Sequence, residues 1–360
     1  MEENNNLIYW VAYSCLLQGN SLRILYQNFS DGELAWQASE NELLKIGIHV
    51  KTAKRLVLER PNVDMLKLSK DLSTYAISVI TIDDINYPTL LKNTSDAPAI
   101  LFYRGTLPRE DSRLLAVVGS RRITPYSKTV GLILSRELAS RGITLVSGLA
   151  RGIDAIAHQS AIEQGSTTLA VVGTGLAPSD TYPSEHRTLA DRIIECGGAI
   201  LSEYPPGVGA RQHHFPMRNR IIAGLSSGTL VIAAPERSGA LITAYTALDE
   251  NREVFAVPGP ITELAHRGSN ALLQRGAHLV TNADDVCRIL AWETTPTEGL
   301  SPNVTLEQQS VLSHISGTPI HIDDLTTATQ LPQSELITHI TVLELTGIIK
   351  DIGGKRYVRI

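Results

Sequence analysis

The chemistry-bearing residues of this 360-residue chain gather in short loops rich in Gly, Ser and Arg. LLAVVGSRR ends in Gly119, Ser120, Arg121 and Arg122, and TLVSGLARGID carries Ser147, Gly148, Arg151, Gly152 and Asp154. A third stretch, TLVIAAPERSGALIT, brings Arg237, Ser238, Gly239 and Thr243 to a helix start. Glycine permits close backbone approach, hydroxyls and amides donate, and the guanidinium fork neutralises phosphate oxygens. HHFPMRNRIIAGLS, His213–Ser226, is the densest of them. There Arg218 and Arg220 flank Asn219, Phe215 precedes them, and Arg211 lies upstream. Interleaved arginine and an aromatic ring suit a sugar–phosphate backbone with a stacked base. The alternative is a core Phe215, with the arginines paired to carboxylates such as Glu203 or Asp154.

Enzymatic arrangements fare worse. No GxGxxG follows the first strand of the core, GTG at Gly173–Gly175 is too short a match, and the P-loop pattern GxxxxGK with Ser or Thr is missing. His213, His214 and the scattered cysteines lack metal-ligand spacing, and there is no HExxH. Asp154 and His158 stand one helical turn apart and share a face. They read as an acid–base pair or as a loop-organising Asp beside a structural His. No nucleophile has a recognisable base. No catalytic residue, metal or cofactor is expected.

Such loops need a rigid frame. Apolar runs read as buried strands at Leu114–Val118, Ile143–Ser147, Thr168–Val172, Ala199–Ser202, Thr229–Ala233, Glu253–Val257 and Ala277–Thr281. Between them Ser127–Arg141, Asp154–Gln164 and Leu241–Glu250 place apolar residues three and four apart, and Gly142, Gly165, Gly197 and Asn251 suit helix stops. Continuous apolar strands alternating with helices imply a parallel sheet covered on both faces. The fold class is α/β, a Rossmann-like doubly wound, mostly parallel sheet over 76–290, whose ligands bind beyond the carboxyl ends of the strands. Ile77–Ile82, INYPTLL and APAILFYRG are expected to feed strands at its edge.

Residues 1–75 read as a small all-α domain of SAM or helix-hairpin-helix type. Within it Glu42–Val57 has the pattern helix, Gly-containing turn, helix, which either offers amides to a phosphate or simply packs. Residues 291–305, rich in Thr, Pro, Ser and Gly, read as a linker. Over 306–360, helices Glu307–Ile315, Ile322–Thr327 and Ser334–Thr346 precede strands Ile348–Ile352 and Tyr357–Ile360, which turn at Gly353–Gly354: a winged helix. Its third helix carries two Glu and no Lys or Arg. A major-groove helix should be basic, so a protein-contact or regulatory role is favoured.

Composition agrees with a globular chain: 43% hydrophobic and 19% charged residues are too apolar for disorder. No apolar run approaches the roughly 18 residues of a membrane span. The start, MEENNNLIYW, has no leader pattern, and Cys15, Cys196 and Cys287 make no disulfide framework. A cytoplasmic protein without a membrane partner is expected. The net charge of −5 argues against nucleic acid at first sight, yet over 76–299 eighteen of the twenty basic residues are Arg. Arginine suits phosphate; lineage bias explains the same count.

YPTLL, APAILFYRG, AVVGSRR, LVSGLARGIDAIAH, AVVGTGL with a following YP, ILSEYPPG, HHFPMRNRIIAGLS, RSGALITA, REVFAVPG and GSNALLQRGA run in order from about Tyr87 to Ala277. Together they resemble the bacterial DNA-processing protein A (DprA, or Smf) family, and the flanks are similar to its longer members. The resemblance implies a non-enzymatic protein that binds and protects single-stranded DNA and loads the RecA recombinase in natural transformation. It also implies a homodimer through the Rossmann domain, for which Leu272 and Leu273 are a candidate contact. Gly119, Ser120 and Arg121 match the main phosphate contact of the family, and Arg211 is the best candidate for a second basic one. Phe215 matches an aromatic that meets a base, with Arg218, Asn219, Arg220, Ser238 and Gly239 in the same pocket. Arg122, Ser147 and Gly148 from the neighbouring loops complete the expected DNA-binding set. Two departures stand out: Ala233–Ala234 where the family has VVEA, and GLAPSDTYP, with Ala177 in place of Asp and extra residues before Tyr182. The rival is a phosphoribohydrolase-like nucleotide enzyme, which would carry PGGxGT and a catalytic Glu where this chain reads PERSGALIT.

Overall fold

The computed structural model describes residues 2–29, 31–292, 305–345 and 348–359. They divide into two compact units, residues 1–295 and 296–360. The expected linker, 291–305, lies mostly at 293–304, outside the described residues.

The first unit is built on nine strands: β1 (Ser78–Thr81), β2 (Ile100–Gly105), β3 (Leu114–Val118), β4 (Thr144–Ser147), β5 (Thr168–Val172), β6 (Ala199–Ser202), β7 (Gly228–Val231), β8 (Glu253–Ala256) and β9 (His278–Leu279). They lie in the order β1-β2-β6-β5-β4-β3-β7-β8-β9. From β6 to β9 every pairing is parallel, while β1 and β2 join antiparallel at one edge. The chain leaves β3 towards β4, β5 and β6, then returns to β7 on the other side of β3. That reversal is the switch point at which open α/β sheets form their ligand crevice.

Side-chain alternation explains the two covered faces. Leu115 and Val117 of β3 enter one core with Leu134, Leu138, Ile153 and Ala157 from the helices Pro125–Ser140 and Ile153–Glu163. Leu114, Ala116 and Val118 enter another with Ile221, Ile222, Leu241 and Ala244 from the helices His214–Leu225 and Gly239–Asp249. A strand buried on both faces is apolar at successive positions, as in β3.

The helical N-terminal region is not a separate compact unit. Trp10, Tyr13, Leu25 and Leu56 share one cluster with Ile100 and Phe102 of β2, Ala170 and Val172 of β5, and Ile200 of β6. Its helices cover part of the sheet, so the core runs continuously across residue 75. INYPTLL forms no strand: it makes a turn and the short helix Thr89–Lys92, with the Tyr87 hydroxyl donating to Pro98 O at 2.7 Å. Leu272, offered above as a dimer contact, is core at 2% exposure.

The second unit holds helices Leu306–Ser313, Ile322–Thr329 and Gln333–Leu345 with strands β10 (Ile320–His321), β11 (Ile349–Asp351) and β12 (Arg356–Arg359). The strand order is β10-β12-β11, with β10 an addition to the expected hairpin. Val311, Leu325, Leu336, Ile340 and Ile349 form its core. Among the described residues, no helix is long and apolar enough to cross a membrane.

Candidate nucleic-acid interface

At the carboxyl end of β3 the chain turns through Gly119 and Ser120. A Cβ on Gly119 would fall 2.5 Å from Ile153 Cγ1, so the glycine lets the helix Ile153–Glu163 start against the strand. The Ser120 hydroxyl donates to Arg122 O at 2.7 Å and accepts from Arg122 N at 3.1 Å, while Ser120 N donates to Ala233 O at 2.8 Å. Ser120 is thus spent on holding the turn, and the turn thrusts Arg121 and Arg122 into solvent. The Arg121 guanidinium lies over the Phe215 ring, 5.1 Å from its centroid. Phe215, half-buried, meets Tyr182 at 5.6 Å between ring centroids.

The loop after β4 is organised from beneath. Buried Asp154 accepts from Gly148 N at 3.2 Å and Ala150 N at 3.4 Å through Oδ2. Ser147 is fully buried, and its hydroxyl donates to Val117 O at 2.6 Å, tying β4 to β3. Arg218 reaches the same loop from the helix His214–Leu225, donating to Gly148 O at 2.6 Å, to Val171 O, and to Asn219 Oδ1 at 3.2 Å. A Cβ on Gly148 would fall 2.4 Å from Arg218 Nη1. Burial pulls the Arg218 guanidinium down to about 10 against the opposing pull of Asp154, and burial raises the Asp154 carboxyl. Two opposite charges with their backbone partners form the floor of the site.

Arg121, Gly148, Ala150, Arg151, Tyr182, Pro183, Phe215 and Arg218 line one pocket. Arg151 is held in a bidentate pair with Glu185, both distances 2.7 Å, and the two side chains are 61% and 52% exposed. Hydrogen bonding to each other raises the Arg151 pKa and lowers that of Glu185.

The structure divides the expected set. Arg121, Gly148, Phe215 and Arg218 come together, with Arg122 on the same loop and Arg211 exposed upstream of the helix that carries Phe215. Arg220 is a correction. Two residues beyond Arg218, it points to another side of the helix and pairs with Glu203 at 2.6 Å and Asp96 at 3.1 Å. The carboxylate alternative holds for it. Asn219 Nδ2 donates to Gly239 O at 3.1 Å, and the Ser238 hydroxyl accepts from Ala240 N at 3.3 Å as a helix cap. Those three brace the helix starts, and none lines the pocket around Arg121. Ser120 and Ser147 are likewise committed to backbone. The rings missed as a pair, Tyr182 and Phe215, come from separate loops, and no periodicity links them. Arg151 was legible as one more cation in its Gly-rich turn.

Asp154 and His158 do not act on each other as an acid–base pair. His158 Nδ1 bonds to Thr168 Oγ1 at 2.8 Å, and burial lowers its pKa to about 3, so the ring is neutral. In the altered GLAPSDTYP loop, Asp180 Oδ2 accepts from Ala177 N at 3.1 Å and Gly207 N at 2.8 Å. A carboxylate therefore still organises this turn, three residues beyond Ala177. Among the described residues, no cluster of His, Cys, Asp and Glu is arranged to hold a metal.

Fold and site together define a Rossmann-like scaffold whose basic, aromatic crevice opens beyond the strand ends, joined in sequence to a winged helix. A family model described as DNA recombination-mediator protein A matches residues 78–291, and the DprA winged helix domain matches residues 295–355. The chain belongs to this DprA/Smf family. Protein Smf of Escherichia coli is 39% identical over 291 residues, covering 78% of this chain and 77% of its own length. The X-ray structure of DNA processing protein A from Streptococcus pneumoniae has a TM-score of 0.67 at 35% identity, covering 79% of this chain and 97% of that one. DNA processing protein A from Helicobacter pylori, studied for its single-stranded DNA binding mode, has a TM-score of 0.53 at 30% identity, covering 60% and 95%. A recombination-mediator family replaces the nucleotide-enzyme rival.

Proposed function

We propose that this chain binds single-stranded DNA at the crevice around Arg121 and Phe215, protects the strand and loads the RecA recombinase onto it in natural transformation and homologous recombination. The observation that carries the reading is Arg121 itself, exposed at a strand end and seated 5.1 Å over Phe215. A free guanidinium takes a phosphate while the neighbouring rings offer a base a surface, which gives salt-dependent binding with little sequence preference. The reading places the protein in the cytoplasm as a homodimer of Rossmann-like units. Strand β9 lies at the edge of its sheet with Leu279 54% exposed, and Tyr245 and Leu248 are exposed on the helix Gly239–Asp249. An unpaired edge beside apolar side chains suits a second copy.

Fluorescence anisotropy with labelled oligo-dT and a matching duplex, each at low and moderate salt, is the test. Salt-sensitive binding that favours the single strand supports the reading, and RecA-filament assembly on protein-covered DNA then tests loading. Absence of oligo-dT binding at low salt overturns it.

A further inference from the structure

The second unit separates its charges. Residues 300–360 contain four basic side chains, Lys350, Lys355, Arg356 and Arg359, and all four lie on the β11–β12 hairpin. Every one is exposed, and none has an ion-pair or side-chain hydrogen-bond partner among the described residues. The helix Gln333–Leu345 is the reverse case. Its exposed side chains include Glu335, Ile337, Thr338, Thr341, Val342 and Glu344, without a Lys or Arg. Its threonines are also occupied: Thr338 and Thr341 hydroxyls donate to Ser334 O and Ile337 O, one turn back, at 3.0 and 2.8 Å.

The strand register sorts the hairpin into two faces. Lys350 pairs with Val358 and Arg356 with His321, on the face opposite the one from which Ile349 and Tyr357 enter the core. Lys355 stands at the tip beside Gly353 and Gly354, all three at positive φ. The tip is anchored, because Lys355 O accepts from Ile322 N at 3.0 Å and Arg356 O accepts from Ile352 N at 2.9 Å. The hairpin's single carboxylate, Asp351, accepts from Gly353 N at 2.7 Å and is engaged within the turn.

The geometry points to the wing, and not the third helix, as a second DNA-binding element, with Lys350, Lys355 and Arg356 contacting the phosphate backbone of duplex DNA. Three cations without an ion-pair partner among the described residues, on the β11–β12 hairpin of a three-stranded sheet, meet phosphates without first breaking ion pairs, and a two-stranded hairpin is narrow enough for a duplex groove. Duplex is favoured over single strand because the hairpin's aromatic, Tyr357, is buried and offers no stacking platform. This contact is independent of the crevice around Arg121, so either can fail alone.

The test compares the full chain with a Lys350→Gln, Lys355→Gln, Arg356→Gln variant on three labelled DNAs: a blunt duplex, that duplex with a dT tail, and the tail alone. For both duplex-bearing DNAs the log–log salt slope is expected to flatten by about 2 to 3. Between about 50 and about 200 mM salt the parent then loses roughly fortyfold more affinity than the variant. Binding to the tail alone stays unchanged. Should the triple variant not fold, Lys355→Gln alone is expected to flatten the slope by about 1. Unchanged duplex affinity and slope in a folded variant overturn the proposal, as does an equal loss on the tail alone. Arg121→Ala separates the two sites: it weakens the tail-only complex and leaves the blunt-duplex slope as in the parent.

Discussion

The crevice and the wing put their cations to different uses. In the crevice Arg218 is buried, Arg220 is locked to Glu203 and Asp96, and Arg151 is held by Glu185, which leaves Arg121, Arg122 and Arg211 facing solvent. On the wing, the four cations have no ion-pair or side-chain hydrogen-bond partner among the described residues. A count of basic residues therefore ranks the two regions in one order, while the count of unengaged guanidinium and ammonium groups among the described residues, three in the crevice and four on the wing, reverses it. Charge that holds a fold together and charge available to a ligand look identical in composition. Only their partners tell them apart.

The sharpest way to break this comparison is through the floor of the crevice. Arg218→Ala leaves Asp154 buried without its compensating charge and strands Gly148 O and Val171 O. A loss of about 3–5 kcal/mol in unfolding free energy is expected, read by denaturant titration. A loss under about 0.5 kcal/mol would show Arg218 to be a surface-like ligand, the opposite of its assigned part.

Next in size is the pH dependence set by His158. Its folded pKa, about 3, lies far below the usual 6.5, so below 6.5 the unfolded chain binds the extra proton. Stability is full above pH 6.5 and falls as pH drops towards 3, by at most about 1.4 kcal/mol per pH unit from this group. Burial lowers the pKa of His214 and His266 too, adding in the same direction. In melts between pH 6.5 and 5, a His158→Gln variant is expected to show a shallower decline; an unaltered decline assigns the effect to the other two.

Arg121→Ala should do the reverse of Arg218→Ala. Its melting curve stays within about 0.5 kcal/mol of the parent, while oligo-dT affinity drops roughly tenfold and the salt slope lessens by about 0.7. A smaller gain is expected from Glu185→Gln, which frees Arg151 from an exposed pair: oligo-dT affinity rises about two- to threefold in the same anisotropy assay. Lower affinity instead would mean that the pair positions Arg151 for DNA. Smallest of all, Glu335→Gln on the third helix of the winged unit is expected to leave duplex affinity within about twofold, since each surface charge counts for little at a distance. A tenfold rise would return that helix to the DNA interface.

The alternation of buried strand and helix was legible because a strand covered on both faces has to be apolar at successive positions. β3, β5 and β6 occupy the residue spans that their patterns imply, and β9, at the sheet edge, is shorter than its pattern. INYPTLL misled because a Tyr-Pro pair and a Leu-Leu pair satisfy a strand pattern locally, whereas the Tyr87 hydroxyl and the core decide for a turn and helix. The helices end near residue 75 as expected, but their independence did not hold for a related reason: a helix reveals from sequence that it has an apolar face, but not which neighbour covers it.

By itself, the sequence determined which residues turn at the strand ends, that the core is a parallel α/β sheet, and that the last 55 or so residues make a winged helix whose third helix lacks cations. Residue type and local period suffice for those properties. Which arginines are free was decided only in three dimensions. Arg218 and Arg220 sit two residues apart in one motif, yet one meets Gly148 and Val171 and the other meets Glu203 and Asp96. Their partners lie many residues away on other strands and loops, and a guanidinium is claimed by whatever carboxylate or carbonyl the fold carries to it.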